Sequence, residues 1–579
     1  MKNRQQPRDI LIPVLLVIAV LPWIVHLAVY SCGYAGYEWY SSNDVIADFY
    51  CYYKSYFLDI IAIFAGIVMI FRMCIYREKT KSMKGYLPLG IYCVFVIIST
   101  VFSVNVRASL QGNFESFESC LVLLSYVIMS VYAYQIMEYE KDYRIIWTAV
   151  LGISIFFLII GTIQVFCHDL MQFGPIQRLL MSKEEFELYG GEIENTFTGN
   201  NVYLTLYNPN YAGIVLSMLF AVVFVMLVTE TRKKQKIMYG TLSLLLLILI
   251  WFTYSRASLL AVALILVLTA FFQWKSGKRK ITGRKILYII LGMAFLVVLF
   301  VSLDAGQGFK YLSRMTDKNV REPLESMTTD EEGIHICYDK NSYLIWTKDR
   351  KVYCKNETAG TTESAKEGEE LLLPMEKDAK AMYLEESQPE ILLYIADTTL
   401  IFIQEENCYY YKTESGKISS MYPVEAADFH GLEYLGSARG YIWSRTLPLL
   451  DQYLFIGSGP DTFAEVFPQN DYEGKIVYSD RPDMVIEKAH NDYLTKWVQT
   501  GMLSLICILT FYIHFIRKGS SIYFGQNMTD MRFRIGFGCY LACISYMLEN
   551  FFNDSTLQTS PLFWVFAGIA LSTANSKYK

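Results

Sequence analysis

Charge is scarce in this 579-residue chain: 18% of its residues are Asp, Glu, Lys or Arg, against 53% apolar. An ordinary soluble domain carries about a quarter charged residues, and disordered chains are poorer still in apolar groups. Histidine is rare as well, with six residues in all. The twelve cysteines form no CxxC pair and no Cys/His cluster at metal-ligand spacing. No GxxxxGK[ST] string and no internal repeat occur. These absences exclude disordered, collagen-like, disulfide-knot, zinc-finger and P-loop nucleotide-binding classes. Cysteines inside apolar runs read as small buried hydrophobes, while Cys337, Cys354 and Cys408 leave room for one disulfide in a polar segment.

What the chain has instead is long apolar runs, such as LSLLLLILIWFTY and ASLLAVALILVLTAFF, and a positive mean hydropathy of +0.27. A membrane-crossing helix needs about 20 such residues. The expected fold is therefore an all-α polytopic membrane protein. Twelve spans are expected, near 11–30, 56–75, 86–104, 119–137, 145–166, 211–228, 237–253, 257–274, 285–303, 491–516, 535–552 and 560–575. The first run is too long for a cleaved signal peptide and lacks a small-residue cleavage site.

The net charge of −5 conceals an asymmetry. Residues 304–490 hold 34 acids and 19 Lys/Arg, and the rest of the chain holds 22 and 32. A nucleic-acid binder would gather its positive charge on one accessible face, so no nucleic-acid partner is expected. With the N-terminus inside, the inner segments carry 26 Lys/Arg and the short outer loops five. Positive residues stay on the cytoplasmic side, which puts both termini in the cytoplasm and residues 304–490 outside. The expected organisation is spans one to nine in 1–314, a β-rich extracytoplasmic insert in 315–436, a membrane-apposed outer loop in 437–490, and the last three spans in 491–579. The insert is read from Tyr- and Ile-rich runs such as HICYDKNSYLIWTK, with ETAGTTESAKEGEE as a charged linker.

An ionisable group within hydrocarbon is costly and usually functional. Such groups are one-sided here: Asp59, Glu549 and Asp554 lie near outer ends of spans, and Lys496 one to two turns below the start of the tenth. The pattern favours a site on the outer face over a conduction path through the midplane. Arg256, in Y-S-R-A-S, sits in a short outer connection as either a snorkelling anchor or an anion contact; a guanidinium grips phosphate bidentately. His490, in K-A-H-N-D-Y-L-T-K-W, stands at the mouth of the tenth span. An imidazole, with an ordinary pKa of about 6.5, can accept a proton from a hydroxyl and release it again. Arg439, in S-A-R-G-Y-I-W, and the string I-G-S-G-P-D-T-F (456–463) allow close backbone approach and offer a second guanidinium. Asn208 and Asn210, in L-Y-N-P-N-Y-A-G, suit either a capped helix start or sugar hydroxyls. Asn491 and Lys496 complete the candidate substrate-binding set.

Together these strings resemble the O-antigen ligase and polymerase superfamily of bacterial envelope glycosyltransferases. The shared order is NPN before a span, then a span ending in SR, R-G-x-x-W and G-x-G-P-x-x-F in a large outer loop, then H-N-x-Y-L. The tail SPLFWVFAGIALS also resembles that family's last span, and the insert is longer than the family's usual loop. The resemblance implies a GT-C-like helical fold in the cytoplasmic (inner) membrane and a metal-independent lipid-linked-oligosaccharide glycosyltransferase without a cofactor. It further implies transfer of a glycan from an undecaprenyl diphosphate carrier to a hydroxyl of a glycan, lipid or protein acceptor, building a cell-surface polysaccharide as ligase or polymerase. Arg256 and Arg439 would hold the diphosphate and His490 would activate or orient the acceptor, as the catalytic residues. A polyprenyl-linked glycan flippase or other transporter, or a non-catalytic receptor for an envelope ligand, remains open beside it.

The orientation is tested by cysteine labelling in a background without native cysteines. Impermeant reagent added outside is expected to reach a cysteine placed at Ser364 and to miss one at Ser276; labelling of the second would reverse the topology.

Overall fold

The structure is a computed structural model that describes residues 8–40, 45–113, 116–167, 170–190, 201–275, 323–375, 378–385, 389–395, 397–429, 431–479, 481–526 and 528–575. Among the described residues six helices are long and apolar enough to cross a membrane: Tyr52–Cys74, Lys84–Val101, Glu140–Phe166, Pro209–Thr229, Lys233–Phe252 and Met502–Tyr523. Four shorter apolar helices, Asp9–Trp23, Cys120–Ile136, Arg256–Phe272 and Ser560–Ser572, accompany them. Helix Met531–Glu549 stands where the eleventh span is expected. The expected ninth, 285–303, lies outside the described residues.

Helix Pro209–Thr229 is almost wholly buried and lies against Met531–Glu549. Lipid offers no hydrophobic drive between helices, so close backbone approach must supply dispersion contacts. Gly538 provides it: a Cβ there would lie 2.8 Å from Val222 Cα. At the periphery, Ile60, Ile63, Ile67 and Ile70 form an exposed stripe along Tyr52–Cys74. A continuous apolar stripe on the outside of a bundle is a surface for hydrocarbon rather than water. Antiparallel packing brings the ends of helices together in two layers. At one end Arg534 Nη2 meets Glu230 Oε2 at 3.1 Å and Arg534 Nε donates to Thr229 Oγ1 at 2.8 Å. The other end, where Pro209 begins and Glu549 finishes, carries the loops described below.

Two expected spans differ in extent. The first stops at Trp23, where Pro22 opens a final tight 3₁₀ turn, and the chain continues into strand Ala28–Ser31 paired with Val45–Asp48. The tenth is broken at Gly501, whose φ of +89° ends a short helix, Asp492–Thr500, before Met502–Tyr523 begins. Only glycine takes that backbone conformation without a Cβ penalty. Lys496 therefore lies on the short polar-faced helix and not inside the long apolar one.

The insert is two antiparallel meanders. Five strands run from Leu324–Thr329 to Thr361–Lys366, and six from Glu370–Leu372 to Ile418–Ser419. Asp339–Lys340, Asp349–Arg350 and Glu406–Asn407 make two-residue hairpins with both φ values positive. Such turns match the right-handed twist of the strands they join. Alternate residues, among them Ile336, Ile345, Leu393 and Phe402, fill one core together with Tyr472 and Ile476 of helix Tyr472–Ser479. The expected linker ETAGTTESAKEGEE instead contributes strand Thr361–Lys366, paired with Lys351–Asn356 at a sheet edge. Only Ala365 of that strand is buried, so its composition reads as a linker although its backbone is paired. Cys337, Cys354 and Cys408 are free thiols. Lys417 Nζ ties the insert to the loop between strands Ala28–Ser31 and Val45–Asp48 by donating to Ala35 O at 2.8 Å and Tyr37 O at 3.1 Å.

Gly538→Val is expected to lower the stability of the purified protein by roughly 1–3 kcal/mol, since the helices must part to admit the side chain. Gly240→Ala, where a Cβ meets only Leu227 Cδ1 at 3.5 Å, is the control. Equal thermal denaturation of the two variants would refute the close crossing.

Candidate active site

The segment 489–492 is held from three directions. Trp443 Nε1 donates to Ala489 O at 2.8 Å. Asp492 N donates to Asn550 O and Asn553 O at 2.9 and 3.0 Å. Asn491 Oδ1 accepts from Tyr493 N and Leu494 N, capping helix Asp492–Thr500. Between these anchors His490 takes a φ of +48°, a left-handed conformation that costs a non-glycine residue energy and persists only where its surroundings impose it.

The imidazole is half-exposed, and its Nδ1 lies 2.7 Å from Oδ2 of buried Asp554. Burial alone would raise that carboxyl. The charge and hydrogen bond of His490, with Lys488 and Arg439, outweigh it and hold Asp554 below the usual carboxylate range. An ionised Asp554 takes the Nδ1 proton as a hydrogen bond and leaves Nε2 as the acceptor.

Arg439 enters from the loop segment 437–490. Gly436, Ser437 and Ala438 are all left-handed, with φ of +66°, +60° and +64°, and turn the chain sharply into its helix. Gly440 follows because a Cβ there would lie 1.9 Å from Leu432 O. Arg439 Nη1 donates to Gly436 O at 2.7 Å and Nη2 reaches Asn553 Oδ1 at 3.4 Å, while its buried Nε has no hydrogen-bond partner. Burial, with the like charge of Arg256, pulls this guanidinium below its usual range; Asp554 and Tyr211 oppose the shift. Arg256 is the first residue of helix Arg256–Lys275, half-buried behind Tyr254 at φ +52°. Neither arginine's helix has an acidic residue in its first turn, so positive charge meets the positive end of a helix dipole. Lys488 Nζ, also buried, lies 3.3 Å from Tyr211 Oη.

The structure thus brings Arg439, His490 and Lys488 around Asp554, and sets Arg256 close enough to Arg439 for the two like charges to act on each other. Sequence reading placed Asp554 at an outer helix end but not as the partner of His490, and it missed Lys488 and Tyr211. The signal for Asp554 was its charge beside an apolar run; no local spacing pairs it with a histidine 64 residues away. The remaining candidates have local partners. Asn208 Oδ1 accepts from Asn210 N at 2.9 Å and caps helix Pro209–Thr229. Asn491 is the cap described above, and Lys496 is ion-paired with Asp492 inside the protein. The string 456–463 covers the end of helix Asp492–Thr500: Ser458 N and Gly459 N donate to the Val498 and Gln499 carbonyls at 2.8 and 2.9 Å. A Cβ at Gly457 would lie 2.1 Å from the Gln499 carbonyl, so glycine permits this contact. Among the described residues no three His, Cys, Asp or Glu side chains form a metal-holding group. No protein-family model matches the chain, and no curated protein matches it.

Within the segment 437–490, burial pushes Asp461 and Glu465 up to about 7 and Glu473 up to about 8. A carboxyl raised on folding contributes stability that is complete below its ordinary range and is lost as pH rises through the folded value. Asp554, depressed on folding, acts oppositely, and its contribution disappears only in acid. The melting temperature is therefore expected to fall between about pH 4 and 8, and Asp461→Asn to flatten that fall. A flat profile for the unaltered protein would contradict the assignment.

Proposed function

We propose that the chain is a multi-pass membrane glycosyltransferase that moves a glycan from a polyprenyl (undecaprenyl) diphosphate to an acceptor hydroxyl on the outer face of the cytoplasmic membrane. In this reading the chain crosses the membrane twelve times, with both ends of the sequence cytoplasmic. The basic Arg534–Glu230 layer then lies inside and the His490 layer outside, in keeping with the distribution of Lys and Arg. The observation that carries the proposal is the arginine pair, one member with a buried unused N–H, beside a histidine oriented by a buried carboxylate.

The chemistry follows from those groups. The acceptor oxygen attacks the anomeric carbon, forming the new glycosidic bond as the bond from that carbon to the diphosphate oxygen breaks. The hydroxyl proton passes to His490 Nε2, and Asp554 stabilises the resulting imidazolium. The bonding pair leaves with the polyprenyl diphosphate, where Arg256 and Arg439 meet the growing charge on the phosphate oxygens. Donors fixed in a partly dry site stabilise such charge more than water does. Lys488 adds a further positive group to the same neighbourhood.

Transfer is measured with the full chain in vesicles supplied with undecaprenyl-diphosphate-linked glycan. Arg256→Lys and Arg439→Lys keep the charge and lose the planar fork, and each is expected to reduce transfer by about 10²-fold. His490→Ala is expected to reduce it by about 10²–10⁴-fold while donor binding stays near normal. If His490→Gln recovers most of the loss, the imidazole positions the acceptor and is not the base. Wild-type transfer in both lysine variants would remove the diphosphate assignment.

A further inference from the structure

A second cleft, of about 270 Å³, opens at the same end of the bundle, between the first outer strand, the start of helix Tyr52–Cys74 and the loop before helix Cys120–Ile136. One side is aromatic: Tyr30 stacks on Tyr52 with ring centres 5.4 Å apart, Phe117 meets Tyr30 edge-on at 5.5 Å, and Tyr56 meets Tyr52 edge-on at 5.1 Å. The other side is polar. Arg107 Nε donates to Gln111 Oε1 at 3.1 Å, and both side chains are exposed at the rim. The Tyr30 hydroxyl, in the lining, is buried without a hydrogen-bond partner. None of these six residues belongs to the His490 site.

Such a lining does not suit an acyl chain, which needs a continuous apolar groove. It does suit a pyranose. The C–H faces of a sugar ring carry slight positive charge and lie against the negative face of an aromatic ring. Its edge hydroxyls both donate and accept, as amide, phenol and guanidinium groups require. The cleft is also joined to the first site: Phe117 is followed by Glu118, whose Oε1 accepts from Ser555 Oγ at 2.5 Å, and Ser555 follows Asp554. We infer that this cleft is a saccharide-binding subsite that holds the acceptor glycan. The acceptor role rests on the transfer reading above; the binding of a saccharide does not.

The probe is the oligosaccharide fraction released by mild acid from the native cell envelope, labelled at its reducing end, and offered to the full chain in lipid nanodiscs. Saturable binding is expected, weakened by about tenfold in Tyr56→Ala and in Arg107→Ala and retained in Tyr56→Phe, which keeps the ring. His490→Gln is expected to lose transfer and keep binding. No saturable binding, wild-type affinity in both alanine variants, or competition by phospholipid alone would overturn the subsite. Transfer with an unchanged acceptor KM in Tyr56→Ala would overturn the acceptor role and leave the transfer reading standing. Tyr56-dependent binding in a protein with no transfer activity would overturn the transfer reading: the saccharide site survives and its assignment to an acceptor falls with that reading.

Discussion

The buried carboxylate of Asp554 is the constraint from which the site follows. An ionised carboxylate taken out of water costs several kcal/mol unless charges and hydrogen bonds replace its hydration. Here His490 supplies the hydrogen bond, and Lys488 and Arg439 supply positive charge. The same interaction fixes which imidazole nitrogen faces outward. It draws a guanidinium from the segment 437–490 and a histidine from a helix mouth onto the connection between helices Met531–Glu549 and Ser560–Ser572. The strain at His490 and the left-handed run before Arg439 are tolerated because the surrounding hydrogen bonds hold both segments.

The bundle serves this layer by being rigid directly beneath it. Helices Pro209–Thr229 and Met531–Glu549 meet through Gly538 and again through Ser217 Oγ, which donates to buried Glu549 Oε2 at 2.8 Å. The break at Gly501 lets the polar-faced helix Asp492–Thr500 lie in the site layer, so Asp492 and Lys496 are satisfied by each other within protein and not in hydrocarbon. The string 456–463 then covers that helix's exposed carbonyls. Each device places charge or backbone polarity at one end of an otherwise apolar structure.

Much of this was legible from run length alone, because lipid imposes about 20 apolar residues per crossing and leaves little choice of fold. Helix positions from Tyr52 to Lys275 and from Met531 to Ser572 follow the apolar runs closely. The end of the first helix and the break in the tenth were not legible, since Pro22 and Gly501 sit within runs that hydropathy reads as continuous. The edge strand Thr361–Lys366 has a linker's composition because backbone pairing leaves its side chains in water. At the site, Arg256, Arg439 and His490 stood out as charged or titratable groups at span boundaries. The carboxylate that Arg439 and His490 share did not, because contact between residues 490 and 554 is a property of packing. The glycines of 456–463 looked ligand-like for the reason they are needed, close backbone approach, but the partner is the protein's own helix.

The central claim, that Asp554 acts through His490 in glycosyl transfer, is tested most directly by a double-mutant cycle. Transfer from undecaprenyl-diphosphate-linked glycan is measured for the unaltered chain, Asp554→Asn, His490→Ala and the pair together. If the carboxylate works by orienting the imidazole, the double variant is no slower than His490→Ala alone, because nothing remains for Asp554 to orient. Losses that multiply would show two independent roles, and an unaltered chain that transfers no glycan would contradict the account at its root.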